Sequence, residues 1–193
     1  DALLGANGGI YAIRTDLYEP LPNNTIIDDF CIVMNVAKKK YKIIYNKQAL
    51  ATEEIAPTLK EEASRRIRIG AGNYQSLSRL KWLLHPSYKW RWFSYLSHKV
   101  IRWFVPHLMI ITVLLNFVLL WHVDIVYVAL MIGQLIFYSL WILGKLEIFK
   151  SIPVIGNLIS LVTFFVSMNI SLFRGYIRFL SNNLSATWQR TSR

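Results

Sequence analysis

Acidic side chains are scarce in this sequence and nearly confined to its first third. The 193 residues include 11 Asp and Glu against 22 Lys and Arg, and after residue 62 the remaining acids are Asp124 and Glu147. The net charge of +11 could indicate a nucleic-acid partner, but such modules interleave basic and aromatic residues on a soluble surface. Here the basic residues flank apolar runs, which favours membrane lipids and excludes nucleic acid as the expected partner.

Cysteine is nearly absent, and no secretory signal opens the chain. The single Cys31 excludes an internal disulfide and a cysteine zinc cluster, so it is predicted to be a small core residue. Residues 1–7 have neither the basic start nor the apolar stretch of a signal peptide, and no initiator Met precedes them. We therefore expect the sequence to be a piece of a longer protein, without its N-terminal portion.

The first 80 residues are predicted to form a mixed α and β piece. Strand-forming residues follow two glycines at 8–14, and shorter strands are predicted at 41–46 and 48–52. One helix should follow the acids at 28 and 29, because apolar residues then recur at helical spacing; they are Phe30, Val33, Met34 and Ala37. A second helix should begin near Leu59, after the T-x-x-E capping box of Thr58.

The chain from residue 81 onward has the composition of a membrane region. Tryptophan and basic residues are mixed over 81–103, which predicts an amphipathic helix in the headgroup plane, with an ordinary surface helix as the alternative. Apolar runs long enough to cross a bilayer follow at 104–121, 123–143 and 152–173. The predicted domains are a soluble piece at 1–80, an interfacial helix at 81–103, a transmembrane region at 104–180 and a tail at 181–193.

The basic residues also predict an orientation. Lys and Arg are frequent in 81–102 and absent from the 122–124 turn, whereas Lys145 and Lys150 follow the second run. The positive-inside rule then places the N-terminal part in the cytoplasm. A full crossing by the third run would carry the arginines behind it outside, so the sequence leaves open whether this run crosses or is re-entrant or interfacial.

Two groups of residues could carry chemistry. Adjacent carboxylates such as Asp28 and Asp29 raise each other's proton affinity and a helix N-terminus lowers it, so the pair can supply a general base. The arginines of the RRIRI cluster suit a phosphate, because the guanidinium fork matches its oxygens; they are Arg65, Arg66 and Arg68. Both groups also have plain structural explanations, which are helix capping for the acids and i, i+4 pairs with the preceding glutamates for the arginines.

The order of these segments is similar to the C-terminal half of family-2 membrane glycosyltransferases, whose members include cellulose and hyaluronan synthases. The series runs GANGGIYAIR, IIDDFCIVM, a segment containing tyrosine, RRIRIGAGNYQSL, and HKVIRWFVP before the first apolar run. The resemblance implies an α/β fold, namely part of a GT-A domain, followed by an all-α membrane region with two to three transmembrane helices. It also implies a multi-pass protein of the cell membrane with its catalytic part in the cytoplasm.

The resemblance further implies roles for particular residues. Asp29 matches the base that deprotonates the acceptor hydroxyl, Asp28 is its neighbour, and Gly8 and Gly9 fall in the region that lines the acceptor site. The RRIRI arginines match the Q/R-R-x-R-W motif that holds the diphosphate leaving group. Ile69 replaces the Trp of that motif, so a sugar-stacking aromatic is missing at this position.

The implied reaction is an inverting transfer of a sugar from a nucleotide sugar, expected to be a UDP-sugar, to the hydroxyl of a saccharide or lipid-linked acceptor in extracellular or cell-wall polysaccharide synthesis. Mg²⁺ or Mn²⁺ is expected through a D-x-D motif that these residues lack, so this chain alone is expected to be inactive. A noncatalytic membrane anchor or assembly subunit is the alternative. A transporter is a weaker one, because Asp124 only borders a span.

Overall fold

The computed structural model describes residues 10–52, 58–122, 124–147 and 153–182, together with residues 5, 6 and 184. Within these residues the regular structure is helical, in the order α1 (Asp28–Lys38), α2 (Leu59–Arg79), α3 (Trp90–Tyr95), α4 (Ile101–Leu119), α5 (Ile125–Lys145) and α6 (Pro153–Leu180). Short 3-10 turns lie at Thr15–Leu17, Lys81–Leu84, Pro86–Tyr88 and Leu120–His122, and a π-helical turn at Leu96–Val100 joins α3 to α4.

The predicted α/β fold of the GT-A type is wrong for the part of the chain that the structure describes. None of the described residues in 10–14, 41–46 and 48–52 belongs to a strand. A strand is stable only beside a partner that satisfies its backbone hydrogen bonds, and none is present among these residues. The apolar side chains that a sheet would cover are instead uncovered, since Ile44 is 83% exposed and Leu50 is 86% exposed.

Both helices predicted in the N-terminal part are confirmed. α1 starts at Asp28, and its predicted apolar face is buried; the face comprises Phe30, Val33, Met34 and Ala37. Cys31 is a core residue as predicted, with its Sγ 3.6 Å from Ser76 Oγ of α2. α2 starts at Leu59, where Thr58 Oγ1 accepts a hydrogen bond from Glu61 N at 3.2 Å. Short-range capping and periodicity were therefore sufficient to locate these helices.

The segment 81–103 is not the single amphipathic helix that was predicted. Two 3-10 turns occupy its start, and the continuous helical run begins at Trp90. Pro86 lacks the amide proton that a helix needs, and Lys89 adopts a left-handed φ of 50°, which interrupts the helix. From Trp90 the helix continues through the π-helical turn to His122, so the aromatic and basic segment joins directly to the first apolar run.

Residues Asp1–Trp103 and Arg174–Arg193 form one compact unit, and Phe104–Phe173 forms a second. The first unit therefore combines the N-terminal half of the chain with the last turns of α6. α2 supplies the contact between them, because the ring of Tyr74 packs on those of Tyr176 and Phe179, with centroid distances of 4.9 and 6.3 Å.

Three helical runs of the described chain are long and apolar enough to cross a membrane, namely Trp90–His122, Ile125–Lys145 and Val154–Leu180. In the second unit α5 packs on α6, where Gly144 lies against Ile159 and Thr163. Farther along the same interface, Trp141 Nε1 donates a hydrogen bond to Ser167 Oγ at 3.3 Å. The predicted multi-pass membrane region is thus supported by the length and composition of these helices.

Candidate active site

The position of the acid pair, Asp28 and Asp29, depends on contacts between α2 and the loop before α1. Gln75 is buried, and its Oε1 accepts a hydrogen bond from Ile26 N at 3.0 Å while its Nε2 donates to Asn24 O at 2.8 Å. Arg79, one turn later, donates to Thr25 Oγ1 at 2.5 Å and to Asn24 Oδ1 at 2.7 Å. These long-range hydrogen bonds fix the entry of the chain into α1, and with it the two carboxylates.

The same loop needs a glycine on α2. A Cβ at Gly72 would collide with the side chains of Ile26 and Ile27, which immediately precede the acid pair. Glycine lowers helix propensity, yet α2 continues through this position to Arg79. Gly72 therefore has a packing function, which is to let the start of α1 approach the α2 backbone.

Asp28 and Asp29 occupy the first turn of α1 in different environments. Asp28 is exposed, and its Oδ1 accepts a hydrogen bond from Asp29 N at 3.0 Å. Asp29 is half-buried, and its Oδ1 accepts from Phe30 N at 2.7 Å. Burial raises the pKa of Asp29 and the Asp28 charge raises it further, which outweighs the lowering by the Phe30 amide and by Lys99. Asp29 is thus a stronger base than an ordinary aspartate.

Two neighbours of the acid pair, Lys99 and Tyr11, were not predicted from the sequence. Lys99 lies on the π-helical turn, with its Nζ 4.7 Å from the centre of the Phe30 ring, and its charge lowers the pKa of Asp29. Burial raises the pKa of the Tyr11 hydroxyl, and the charges of Asp28 and Asp29 raise it further. The signal for Lys99 was a cation interrupting an apolar stripe, and Tyr11 lay within GGIYAIR without any feature that marked it.

Two of the RRIRI arginines are held by one glutamate of the same helix. Glu62 Oε2 accepts a hydrogen bond from Arg65 Nε at 3.0 Å, and its Oε1 accepts from Arg66 Nε at 2.6 Å. Burial opposes ionisation of Glu62, but these two arginines hold its pKa below the usual value. Ion pairing within α2 therefore accounts for these contacts, with Glu62 serving both arginines.

The charge of Asp28 acts on Arg68 of the RRIRI cluster. Burial lowers the pKa of its guanidinium and the charges of Arg65 and Arg178 lower it further, whereas the charge of Asp28 raises it. A guanidinium still remains protonated at physiological pH. The structure therefore associates Asp28 with the arginine cluster, while the basic neighbour that acts on Asp29 is Lys99.

The remaining parts of the predicted site are not placed. Gly8 and Gly9 lie outside the residues that the structure describes. Within the described ranges, no three His, Cys, Asp or Glu side chains form a group able to hold a metal ion. The expected Mg²⁺ or Mn²⁺ depends on a D-x-D motif that this sequence lacks, and no step below is assigned to a metal.

Helical runs long and apolar enough to cross a membrane indicate a membrane protein, and the comparison with protein families identifies its family. The family described as Glycosyl transferase family group 2 matches residues 8–144, which include the acid pair, RRIRI and the first two apolar runs. The chain therefore belongs to this family and carries a family-2 glycosyltransferase domain, which confirms the resemblance seen in the sequence. Comparisons with curated proteins and with solved structures gave no match.

Proposed function

We propose that this chain belongs to a membrane-bound glycosyltransferase that moves a sugar from a nucleotide sugar to an acceptor hydroxyl with inversion at the anomeric carbon. The observation that carries the proposal is the position of Asp29, a base strengthened by burial, next to Asp28, whose charge acts on Arg68. Family membership supports a glycosyl transfer. Asp29 would then deprotonate the attacking hydroxyl, and Arg68 would stabilise the departing diphosphate.

In the proposed reaction, the Asp29 carboxylate accepts the proton of the acceptor hydroxyl. The hydroxyl oxygen bonds to the anomeric carbon on the face opposite the diphosphate, and the bond from that carbon to the diphosphate oxygen breaks. The electron pair leaves with the nucleoside diphosphate, whose increased negative charge Arg68 stabilises. Lys99 favours the ionised form of Asp29, while burial keeps that carboxylate basic.

The donor we propose is a UDP-sugar, and the acceptor is a saccharide or lipid-linked hydroxyl in extracellular or cell-wall polysaccharide synthesis. Three helical runs that are long and apolar enough to cross a membrane support an acceptor or product that reaches the membrane. We propose Mg²⁺ or Mn²⁺ as the cofactor, bound through a D-x-D motif that this sequence lacks.

Transfer from labelled nucleotide sugars to the protein encoded in full, kept in its membrane, tests the proposal. We expect one donor to yield labelled acceptor with inverted anomeric configuration and one nucleoside diphosphate per sugar transferred. NMR of the product determines the configuration. Retention of configuration would refute the single displacement, and no transfer from any donor would favour the noncatalytic membrane anchor.

We also propose that the first unit faces the cytoplasm, and that α6 does not cross the bilayer. Trp103 and Arg174 both belong to the first unit, so the chain between them must leave and return on one side. It therefore crosses an even number of times, and α4 with α5 accounts for one pair of crossings. Two polar residues of α6, Asn157 and Ser160, are exposed, which suits a helix at the membrane surface.

Labelling of single cysteines tests this topology. In a Cys31→Ser background, Ser87→Cys, His122→Cys and Ser181→Cys are treated with a membrane-impermeant maleimide in sealed vesicles of known orientation; all three sites are exposed. We expect the cysteines at 87 and 181 to react from the cytoplasmic side and the cysteine at 122 from the opposite side. Reaction at 181 from the side opposite to 87 would mean that α6 crosses, contrary to the proposal.

A further inference from the structure

We propose that Arg178, near the end of α6, binds the diphosphate of the donor together with Arg68. This inference rests on the proposed function and adds to it a residue of the C-terminal helix. Arg178 lies beyond residues 8–144, the part of the chain that matches the family. The contacts that bear on its role lie within the first unit.

The end of α6 crosses α2 at very short range. A Cβ on Gly175 would fall 2.7 to 2.8 Å from α2 backbone atoms; these are Ile67 O, Gly70 Cα and Ala71 N. The rings of Tyr176 and Phe179 pack on Tyr74 immediately beyond the crossing. Tyr74 is buried, and its hydroxyl donates a hydrogen bond to Trp103 O. The crossing is therefore fixed by backbone contact and by a buried aromatic cluster.

This crossing holds Arg178 beside Arg68. Arg178 follows Gly175 by three residues, so the two lie on the same side of α6. Arg68 belongs to the stretch of α2 that α6 crosses, next to Ile67. Both arginines are half-buried, and their charges act on each other. Two cations from different helices are thus held together by the packing of those helices.

A diphosphate fits this pair of guanidinium groups. Like charges at close range repel, and an anion placed between them removes that cost. Asp28 supplies a single negative charge near Arg68, whereas a diphosphate carries several, on oxygens that match two guanidinium forks. We therefore assign the diphosphate to the pair formed by Arg68 and Arg178, which the crossing of α2 and α6 holds together.

The experiment compares Arg178→Gln with Arg174→Gln in the protein encoded in full, reconstituted in vesicles. Arg174 is a matched control, because it is exposed and lies one turn earlier on the same helix. We measure the KM for the nucleotide sugar and the inhibition constants of UDP and of inorganic pyrophosphate. Arg178→Gln should raise all three about 10- to 100-fold, the range for loss of one charge-assisted hydrogen bond. Arg178→Lys should recover part of the loss, and Arg174→Gln should change nothing.

Vesicles with and without anionic phospholipid distinguish a soluble diphosphate from a lipid phosphate. A weakening of pyrophosphate inhibition in both kinds of vesicle supports the proposal, and a weakening that needs anionic lipid overturns it. Equal effects of the two Gln variants would also overturn it, because they would indicate a general loss of positive charge. A lower melting temperature with unchanged inhibition constants would show a purely structural role.

Failure of the inference can be distinguished from failure of the proposed function. If the wild-type protein transfers sugar and Arg178→Gln has unchanged KM and inhibition constants, the inference is wrong and the function stands. If no nucleotide sugar is used, direct binding of UDP and pyrophosphate is measured instead. If only Arg178→Gln lost that binding, the diphosphate site would be supported even though the protein showed no transferase activity.

Discussion

Replacement of Asp29 with Asn is expected to lower the rate of sugar transfer about 10²- to 10⁴-fold, the usual contribution of a general base. Asn has nearly the same shape but cannot accept the proton of the acceptor hydroxyl. Its amide oxygen can still accept the hydrogen bond from Phe30 N, which Asp29 Oδ1 accepts at 2.7 Å. Folding and membrane insertion should therefore remain intact. The measurement is kcat of the protein encoded in full, together with its melting temperature.

The control for this change is Asp16→Asn, which removes the same charge from an exposed carboxylate paired with Arg14 at 2.7 Å. It should leave transfer unchanged. Because burial raises the pKa of Asp29, the basic form is lost at a higher pH than for an ordinary aspartate of pKa about 4. The acid limb of kcat/KM should therefore lie above that value, with the rate falling as pH decreases. Full turnover by Asp29→Asn would remove the base assignment.

Gly175→Ala is expected to destabilise the first unit by about 1 to 3 kcal/mol, as overpacking of a tight contact does. Alanine in place of glycine normally stabilises a helix by up to about 1 kcal/mol, so the expected sign is reversed. The reason is that the new methyl group would meet backbone atoms of α2, which cannot rotate away as a side chain could. Thermal unfolding of the purified protein in detergent measures the effect.

The matched control is Gly133→Ala in α5, where a Cβ would have no atom within 4 Å. This variant should be neutral or slightly more stable than the wild type. If the two alanine variants had the same melting temperature, the close crossing of α6 and α2 would be refuted. A loss of transfer by Gly175→Ala is also expected, because displacement of α6 would carry Arg178 away from Arg68.

Helices were predictable from the sequence where their signals are local. The capping box at Thr58 and the acids at the start of α1 located two helix starts, since these signals depend on residues within one turn. Strands at 41–46 and 48–52 were predicted wrongly, because strand-forming residues need a neighbouring strand that composition does not reveal. The break before Trp90 depends on the backbone of Lys89, a residue type that rarely adopts its positive φ.

The candidate site was predictable only where its residues have a signal in the local sequence. Asp28, Asp29 and the RRIRI cluster are contiguous in sequence and stand out as acids and arginines. Lys99 reaches the acid pair from the π-helical turn, and Arg178 reaches Arg68 from more than 100 residues away. The interrupted apolar stripe marked Lys99 as unusual without indicating its neighbour, and Arg178 had no such signal, so only the packing of the helices reveals both positions. The roles of all these residues in transfer remain predictions to be tested by the substitutions above.

The first unit is built from two separated stretches of chain, and this has a consequence for biogenesis. During translation the ribosome releases Asp1–Trp103 first, whereas Arg174 and the residues after it emerge only once the hydrophobic stretch between them has been made. Tyr74 and the neighbouring α2 backbone must therefore wait, uncovered, for the last helix to arrive. A nascent protein that is still being inserted lacks this final piece, so maturation of the unit is tied to completed insertion.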